Sequence, residues 1–239
     1  MALIGEETME QLRDLIKAVN NKDAERKEDQ LLQYMELVLE RNQHVNLTAI
    51  TDRDEFIRKH YIDSLAAAVL PEFQAAETVI DLGTGGGFPG VPLAIVFPEK
   101  QFTLVDSLNK RIRIIQEFCE TIGVQNVTAI HGRAEDLGQQ EDLRESFGAC
   151  VSRAVADMRV LAEYCLPFVK VGGAFIAYKS SDCEEELQGA QRAIGLLGGG
   201  ACRLDSAESE EHLLVVIPKE KPTPKQYPRR AGTPGKKPL

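Results

Sequence analysis

From Thr78 to Pro218, short runs rich in β-branched residues alternate with segments of helical period, and that alternation leaves few folds open. Strands are expected at 78–82, 101–106, 126–131, 148–152, 173–179, about 201–204 and 212–217. Helices are expected between them, near 90–97, 108–122, 157–168 and 183–196. Strands that alternate with helices pack as a largely parallel sheet with helices on both faces. The expected fold class is therefore α/β: a doubly wound, mostly parallel, seven-stranded, Rossmann-like sheet. A length of 239 residues suits one such domain with an appendage, not two independent enzymes.

The first third carries no strand signal. Thr8 to Gln11 has the form of a capping box, and Leu12, Leu15, Ile16 and Val19 follow at helical spacing. Leu31, Met35 and Val38 mark a second helix that fades at Asn42 to Asn46. A third is expected from Asp54 to Leu70, stopped by Pro71. The chain thus divides into a helical extension over 1–72, packed on a core over 73–218, and a C-terminal tail over 219–239.

The most informative segment is Val79-Ile80-Asp81-Leu82-Gly83-Thr84-Gly85-Gly86-Gly87-Phe88-Pro89-Gly90. An apolar strand ends at a carboxylate and is followed by D-x-G-x-G-x-G, so the backbone turns sharply and admits a ligand without Cβ interference. Gly85-x-Gly87-x-x-Gly90 also satisfies the dinucleotide pattern in a shifted register. Gly85, however, lies four residues beyond Asp81, with Pro89 inside the frame. Asp81 would also repel a pyrophosphate, whereas it is a natural anchor for the cationic amino-acid part of S-adenosylmethionine. The charge logic favours that cofactor over NAD, with Gly83, Gly85 and Gly87 forming the turn around it.

Asp106, with Ser107 beside it, ends the next strand, where a carboxylate can accept both ribose hydroxyls. Ala134 and Glu135 follow the third strand, in a loop suited to an adenine edge. Arg153 ends the fourth, at the same rim.

A net charge of -9 is unevenly spread. From Lys219 to Leu239 there are seven basic residues against one acidic, and five of the eleven prolines, which exclude a continuous helix or an interior strand. That segment reads as an extended basic tail. Five scattered cysteines without a C-x-x-C pair suit reduced thiols, with neither a disulfide framework nor a zinc site, and a cytoplasmic location. Leu82 to Pro98 is apolar but holds five glycines and three prolines, so no membrane span is expected.

Several segments together resemble the RsmG family, also called GidB. They are Asn46-Leu47-Thr48-Ala49-Ile50, Lys59-His60 with Asp63-Ser64-Leu65, Asp81 to Pro92, Asp106-Ser107-Leu108 with Lys110-Arg111, and Ser152-Arg153-Ala154. The ending Tyr227-Pro228-Arg229-Arg230-Ala231-Gly232-Thr233-Pro234 is similar to the tail of Gram-positive-type members. The resemblance covers nearly the whole chain. It implies a class I methyltransferase that transfers a methyl group from S-adenosylmethionine to N7 of one guanosine in the decoding-region hairpin of 16S rRNA. It also implies that Gly83, Phe88, Ala134, Glu135 and Arg153 contact the cofactor. The substrate would be 16S rRNA or the assembling small subunit, with no DNA partner and no metal.

The residues agree partly through what is missing. No Asn- or Asp-Pro-Pro-aromatic motif for exocyclic amines follows the fourth strand, where Ser152-Arg153-Ala154-Val155 stands instead. No cysteine follows a proline, as a pyrimidine C5 nucleophile would. Guanine N7 carries a lone pair and no proton, so alignment is the main requirement, with Arg153 holding the cofactor or donating to guanine O6 and no general base. RNA phosphates are expected to meet Lys110, Arg111 and Arg113, and in the tail Lys225, Arg229, Arg230, Lys236 and Lys237. Two rivals are a small-molecule methyltransferase of the same fold and an NAD-dependent oxidoreductase using Gly85, Gly87 and Gly90.

Overall fold

The computed structural model describes residues 4–153, 156–205 and 212–239. Ala154 and Val155, which complete the segment after the fourth strand, lie outside the described residues. Helix α1 (Glu6–Asn20) buries Leu12 and Ile16, and α2 (Ala24–Asn42) buries Leu31, Met35 and Val38, the stripe that the spacing marks, together with Tyr34. The capping box at Thr8 is not formed. The helix starts three residues earlier, capped by Gly5, whose N–H is held by Asp54 Oδ1 at 2.9 Å, and Thr8 lies inside it. A contact 49 residues away in sequence outcompetes the local cap.

The third helical run begins at α3 (Arg53–Phe56) and passes through a π-helical turn over Ile57–Ile62. It continues through α4 (Asp63–Leu65) and a 3-10 turn over Ala66–Val69. Pro71 then opens α5 (Pro71–Ala75), where its missing N–H has no helical partner to lose.

The core comprises β1 (Thr78–Leu82), α6 (Gly90–Val96), β2 (Gln101–Asp106), α7 (Asn109–Thr121), β3 (Val127–His131), α8 (Ala134–Leu137) and β4 (Phe147–Arg153). It continues through α9 (Met158–Cys165), β5 (Val169–Lys179), α10 (Glu184–Leu196), β6 (Arg203–Asp205) and β7 (Leu213–Pro218). The seven strands lie in the order β3-β2-β1-β4-β5-β7-β6, parallel except where β7 runs antiparallel to both β5 and β6. The order reverses between β1 and β4, whose Asp81 and Val151 are paired in register, and that switch point opens a crevice at the carboxyl ends of the strands.

Each face of the sheet has its own core. On one, Tyr34, Phe56 and Tyr61 of the extension pack with Phe88, Val91, Leu104 and Phe118. On the other, α9 and α10 bury Leu161, Cys165 and Ile194 against Ile80, Cys150 and Phe175, and Tyr227 joins them.

That last contact changes the picture of the tail, which is laced to the core and not a solvated extension. Lys219 is buried, with Nζ donating to Leu166 O and Thr223 Oγ1. Arg144 donates to the carbonyls of Thr223 and Tyr227, and α11 (Thr233–Lys236) packs on α9. Prolines prevent regular structure without preventing burial; side chains of the core satisfy the tail's free carbonyls instead. Among the described residues all five cysteines are free thiols, no group of His, Cys, Asp and Glu is arranged to hold a metal, and no helix is long and apolar enough to cross a membrane.

Candidate cofactor site at the carboxyl edge of the sheet

Asp81 ends up fully buried beneath the glycine turn. Its Oδ2 accepts from Thr84 Oγ1 at 2.7 Å and from the Gly90 N–H at 2.9 Å. Its Oδ1 has no protein partner. Burial pushes the carboxyl group up to about 6, against the opposing pull of the Thr84 and Gly90 hydrogen bonds and the Arg153 charge. A buried carboxylate with one open oxygen is short of a donor, and a cationic amine beside it would supply both charge and hydrogen bond.

The glycines of the turn divide into two groups. Gly83 and Gly85 have positive φ, 76° and 60°, and a Cβ on Gly85 would come no nearer to protein than 3.9 Å. Gly85 thus has open space beside its Cα, and Gly83 lines the cavity beside the turn. Gly87, grouped with them by sequence, faces inward: a Cβ there would sit 2.2 Å from Tyr34 Oη, which donates to Gly86 O at 2.8 Å. Gly87 therefore lets the helical extension close on the turn.

Beside the turn, a cavity of about 170 Å³ is lined by Gly83, Asp106, Ser107, Ala134, Glu135 and Tyr164, among others. Asp106 is fixed at its edge, Oδ2 accepting the Gly85 N–H at 3.0 Å and Oδ1 the Leu108 N–H at 2.8 Å. Arg111 Nη1 lies 3.4 Å from the same carboxylate, so this residue of the expected RNA cluster leans towards the edge of the cavity. Lys110 and Arg113 remain exposed and share a groove with Arg41 and Asn109. Glu135, in the first turn of α8, accepts the Gly232 N–H at 2.8 Å, which brings the tail to the back of the cavity wall.

Phe88 and Arg153 stand apart from that cavity, in a layer between sheet and extension. The His60 ring stacks on Phe88 at 4.1 Å between centroids, with 5° between planes, and the Arg153 guanidinium lies 5.6 Å from the Phe88 centroid. Arg153 Nη1 donates to Lys59 O at 2.9 Å and to Asp63 Oδ2 at 2.5 Å, and Nη2 reaches His60 Nδ1 at 3.1 Å. Burial and the neighbouring Arg153 charge push His60 down to about 3, with Asp63 opposing, so the ring is neutral near pH 7. The guanidinium expected to face cofactor or base is thus held by the extension.

Of the tail cations, Lys225, Arg230, Lys236 and Lys237 are exposed. Arg229 is not available to phosphates in the way expected, because it pairs with the buried Glu163 at 2.6 Å and Glu163 Oε1 also accepts its N–H. Sequence reasoning passed over Thr84, Tyr164 and the Asp63 to Arg153 pair. A hydroxyl three residues past Asp81 was a readable signal for the first; nothing local marks the others.

A family model described as "GidB: rRNA small subunit methyltransferase G" matches residues 27–215. "Ribosomal RNA small subunit methyltransferase G" of Alkaliphilus metalliredigens (strain QYMF) is 47% identical over 214 residues, 88% of this chain and 90% of that protein. The protein of the same description from Clostridium botulinum (strain Eklund 17B / Type B) is 50% identical over 210 residues, 86% of this chain and 88% of that one. Among solved structures, an O-methyltransferase from Bacillus cereus in complex with SAH aligns with a TM-score of 0.53 at 18% identity, over 78% of this chain and 90% of that one. A putative O-methyltransferase from Klebsiella pneumoniae aligns at 0.52 and 17%, over 79% and 90%. At these identities the structural likeness fixes the fold, that of class I methyltransferases.

Proposed function

The chain belongs to the GidB family, rRNA small subunit methyltransferase G, and on that premise we propose that it methylates N7 of one guanosine in the decoding-region hairpin of 16S rRNA, using S-adenosylmethionine. The observation that carries the cofactor reading is the unpartnered Oδ1 of buried Asp81, at the switch point of the sheet and beneath the glycine turn. A sulfonium cofactor brings an ammonium group for that oxygen, a ribose for Asp106 and an adenine for the cavity walled by Ala134 and Glu135. A dinucleotide would bring a pyrophosphate to the same carboxylate and meet repulsion.

Bound there, S-adenosylmethionine supplies an electrophilic methyl group. Guanine N7 would offer its lone pair to that methyl group, and no proton would have to leave. The protein's part is to hold the two reactants in line and to tolerate a positive charge that moves onto the purine. The exposed cations Lys110, Arg113, Lys225, Arg230, Lys236 and Lys237 give RNA phosphates a place to bind on a chain that is otherwise acidic. The substrate as RNA within an assembling subunit, and a cytoplasmic site of action, belong to the same reading.

Titration calorimetry with S-adenosylhomocysteine and with NAD tests the cofactor class. Binding of the first alone is expected; binding of NAD alone would overturn the reading. Nucleoside mass spectrometry of small-subunit rRNA incubated with the protein and methyl-labelled cofactor should find label in 7-methylguanosine. Label in any other nucleoside would contradict the choice of target atom.

A further inference from the structure

The polar groups above Phe88 form a chain whose donors and acceptors can be followed to its end. A guanidinium only donates, so Arg153 Nη2, 3.1 Å from His60 Nδ1, takes up the lone pair of that nitrogen. The single ring proton of the neutral histidine is then on Nε2, which donates to Thr48 Oγ1 at 2.7 Å. Thr48 Oγ1 also accepts the Ile50 N–H at 3.0 Å. Both lone pairs of the hydroxyl are thereby occupied. Its own proton is the remaining hydrogen-bonding capacity, and it points away from both donors.

The loop that carries this hydroxyl is pinned. Asn42 Oδ1 accepts the N–H groups of Leu47 and Thr48, and Asn42 Nδ2 donates to Thr48 O at 2.8 Å. The loop also lies on the glycine turn: Leu47 O is 2.9 Å from where a Cβ on Gly86 would sit, and His60 stacks on Phe88. A half-buried donor of fixed direction therefore stands at the carboxyl edge of the sheet. Arg153, by contrast, has both terminal nitrogens engaged by Lys59 O, Asp63 and His60.

We propose that Thr48 is a binding residue for the target base, its hydroxyl donating to guanine O6, and that His60 and Arg153 are positioning residues that fix the direction of that bond. The inference rests on the substrate reading above. O6 neighbours N7 on the major-groove edge, and it is the acceptor to hold when N7 must keep its lone pair for the methyl group. Adenine carries an amino group at that place and would set a donor against a donor, so the contact selects guanine. A neutral hydroxyl adds no charge beside a purine that becomes cationic, and Asp63 balances the charge of Arg153.

The test compares full-length protein with Thr48→Val and Thr48→Ser on two RNA hairpins, carrying either guanosine or 2-aminopurine riboside at the target position. The second base lacks O6 and keeps N7. Thr48→Val is expected to lower kcat/KM on guanosine RNA about 10- to 100-fold, the scale of one such hydrogen bond, with Thr48→Ser restoring most of it. The wild-type protein should lose a similar factor on 2-aminopurine RNA, and Thr48→Val should lose little more there. S-adenosylhomocysteine affinity should be unchanged. Losses that multiply, or cofactor affinity that falls with Thr48→Val, would overturn the role of Thr48. Equal wild-type rates on the two RNAs would do so without any variant. No methyl transfer by wild-type protein to guanosine RNA would remove the substrate reading itself, and this proposal with it.

Discussion

Arg153 Nη1 lies 2.5 Å from Asp63 Oδ2, joining the carboxyl end of the fourth strand to the helical extension through a fully buried carboxylate. Asp63 Oδ1 in turn lies 2.8 Å from His212 Nδ1. Asp63→Asn keeps the shape and removes the charge, leaving the guanidinium buried without its counterion, a loss of about 3 to 5 kcal/mol of stability. Urea unfolding of the variant measures it, and an unchanged midpoint and slope would show that the pair does not hold the extension down.

Asp81 predicts a pH dependence with opposite signs for binding and folding. Its carboxyl group is raised to about 6 from an ordinary 3.8, so between those values the native state of the free protein holds a proton that the unfolded chain has released. Stability of the free protein should therefore fall as pH rises from about 4 to 6. A cationic cofactor needs the carboxylate, so S-adenosylhomocysteine affinity should rise up to about tenfold per pH unit below 6 and level off above it. Asp81→Asn should weaken binding and abolish both slopes; a slope that persists belongs to another group.

Gly85 and Gly87 should fail in different ways. Gly85→Ala has open space and a φ of 60°, so it should fold with a strain of about 1 to 2 kcal/mol and lose cofactor affinity. Gly87→Ala places a carbon against Tyr34 Oη at a φ of 93° and should unfold or displace the extension. Thermal melts with and without S-adenosylhomocysteine distinguish the two, and equal behaviour would contradict the division of the turn.

The tail should separate into anchors and phosphate-binding side chains. Arg229→Ala leaves Glu163 buried and unpaired, costing about 3 kcal/mol, and loosens the segment whose Gly232 holds Glu135, so cofactor affinity should fall too. Replacing Arg230, Lys236 and Lys237 by Gln should spare the cofactor, weaken RNA binding and flatten its salt dependence by about 0.7 for each phosphate no longer neutralised. Equal salt slopes would return these side chains to the solvent. Truncation after Pro218, which treats the tail as an appendage, should instead cost stability and cofactor binding, since it removes Lys219 and Tyr227 from the core.

What could be read from the sequence was local and periodic. Thr78 to Leu82, with Asp81 near its end, betrays a strand and a carboxylate at a turn, because strand period and glycine content are properties of adjacent residues. The inward role of Gly87 depends on Tyr34, in a helix far back along the chain, and the folding-back of the tail depends on Glu163 and Arg144. Likewise Thr8 looked like a cap until Asp54 took Gly5. Such partners are chosen by the tertiary fold, and no spacing rule reaches them.

Small-subunit rRNA from a strain lacking this gene, compared with the same strain carrying the intact gene or the Asp81→Asn form, tests the central claim most directly. Nucleoside mass spectrometry with cleavage mapping of the decoding-region hairpin should find one 7-methylguanosine restored by the intact gene and not by Asp81→Asn. An unmodified hairpin in the complemented strain, or a 7-methylguanosine already present in its absence, would contradict the account.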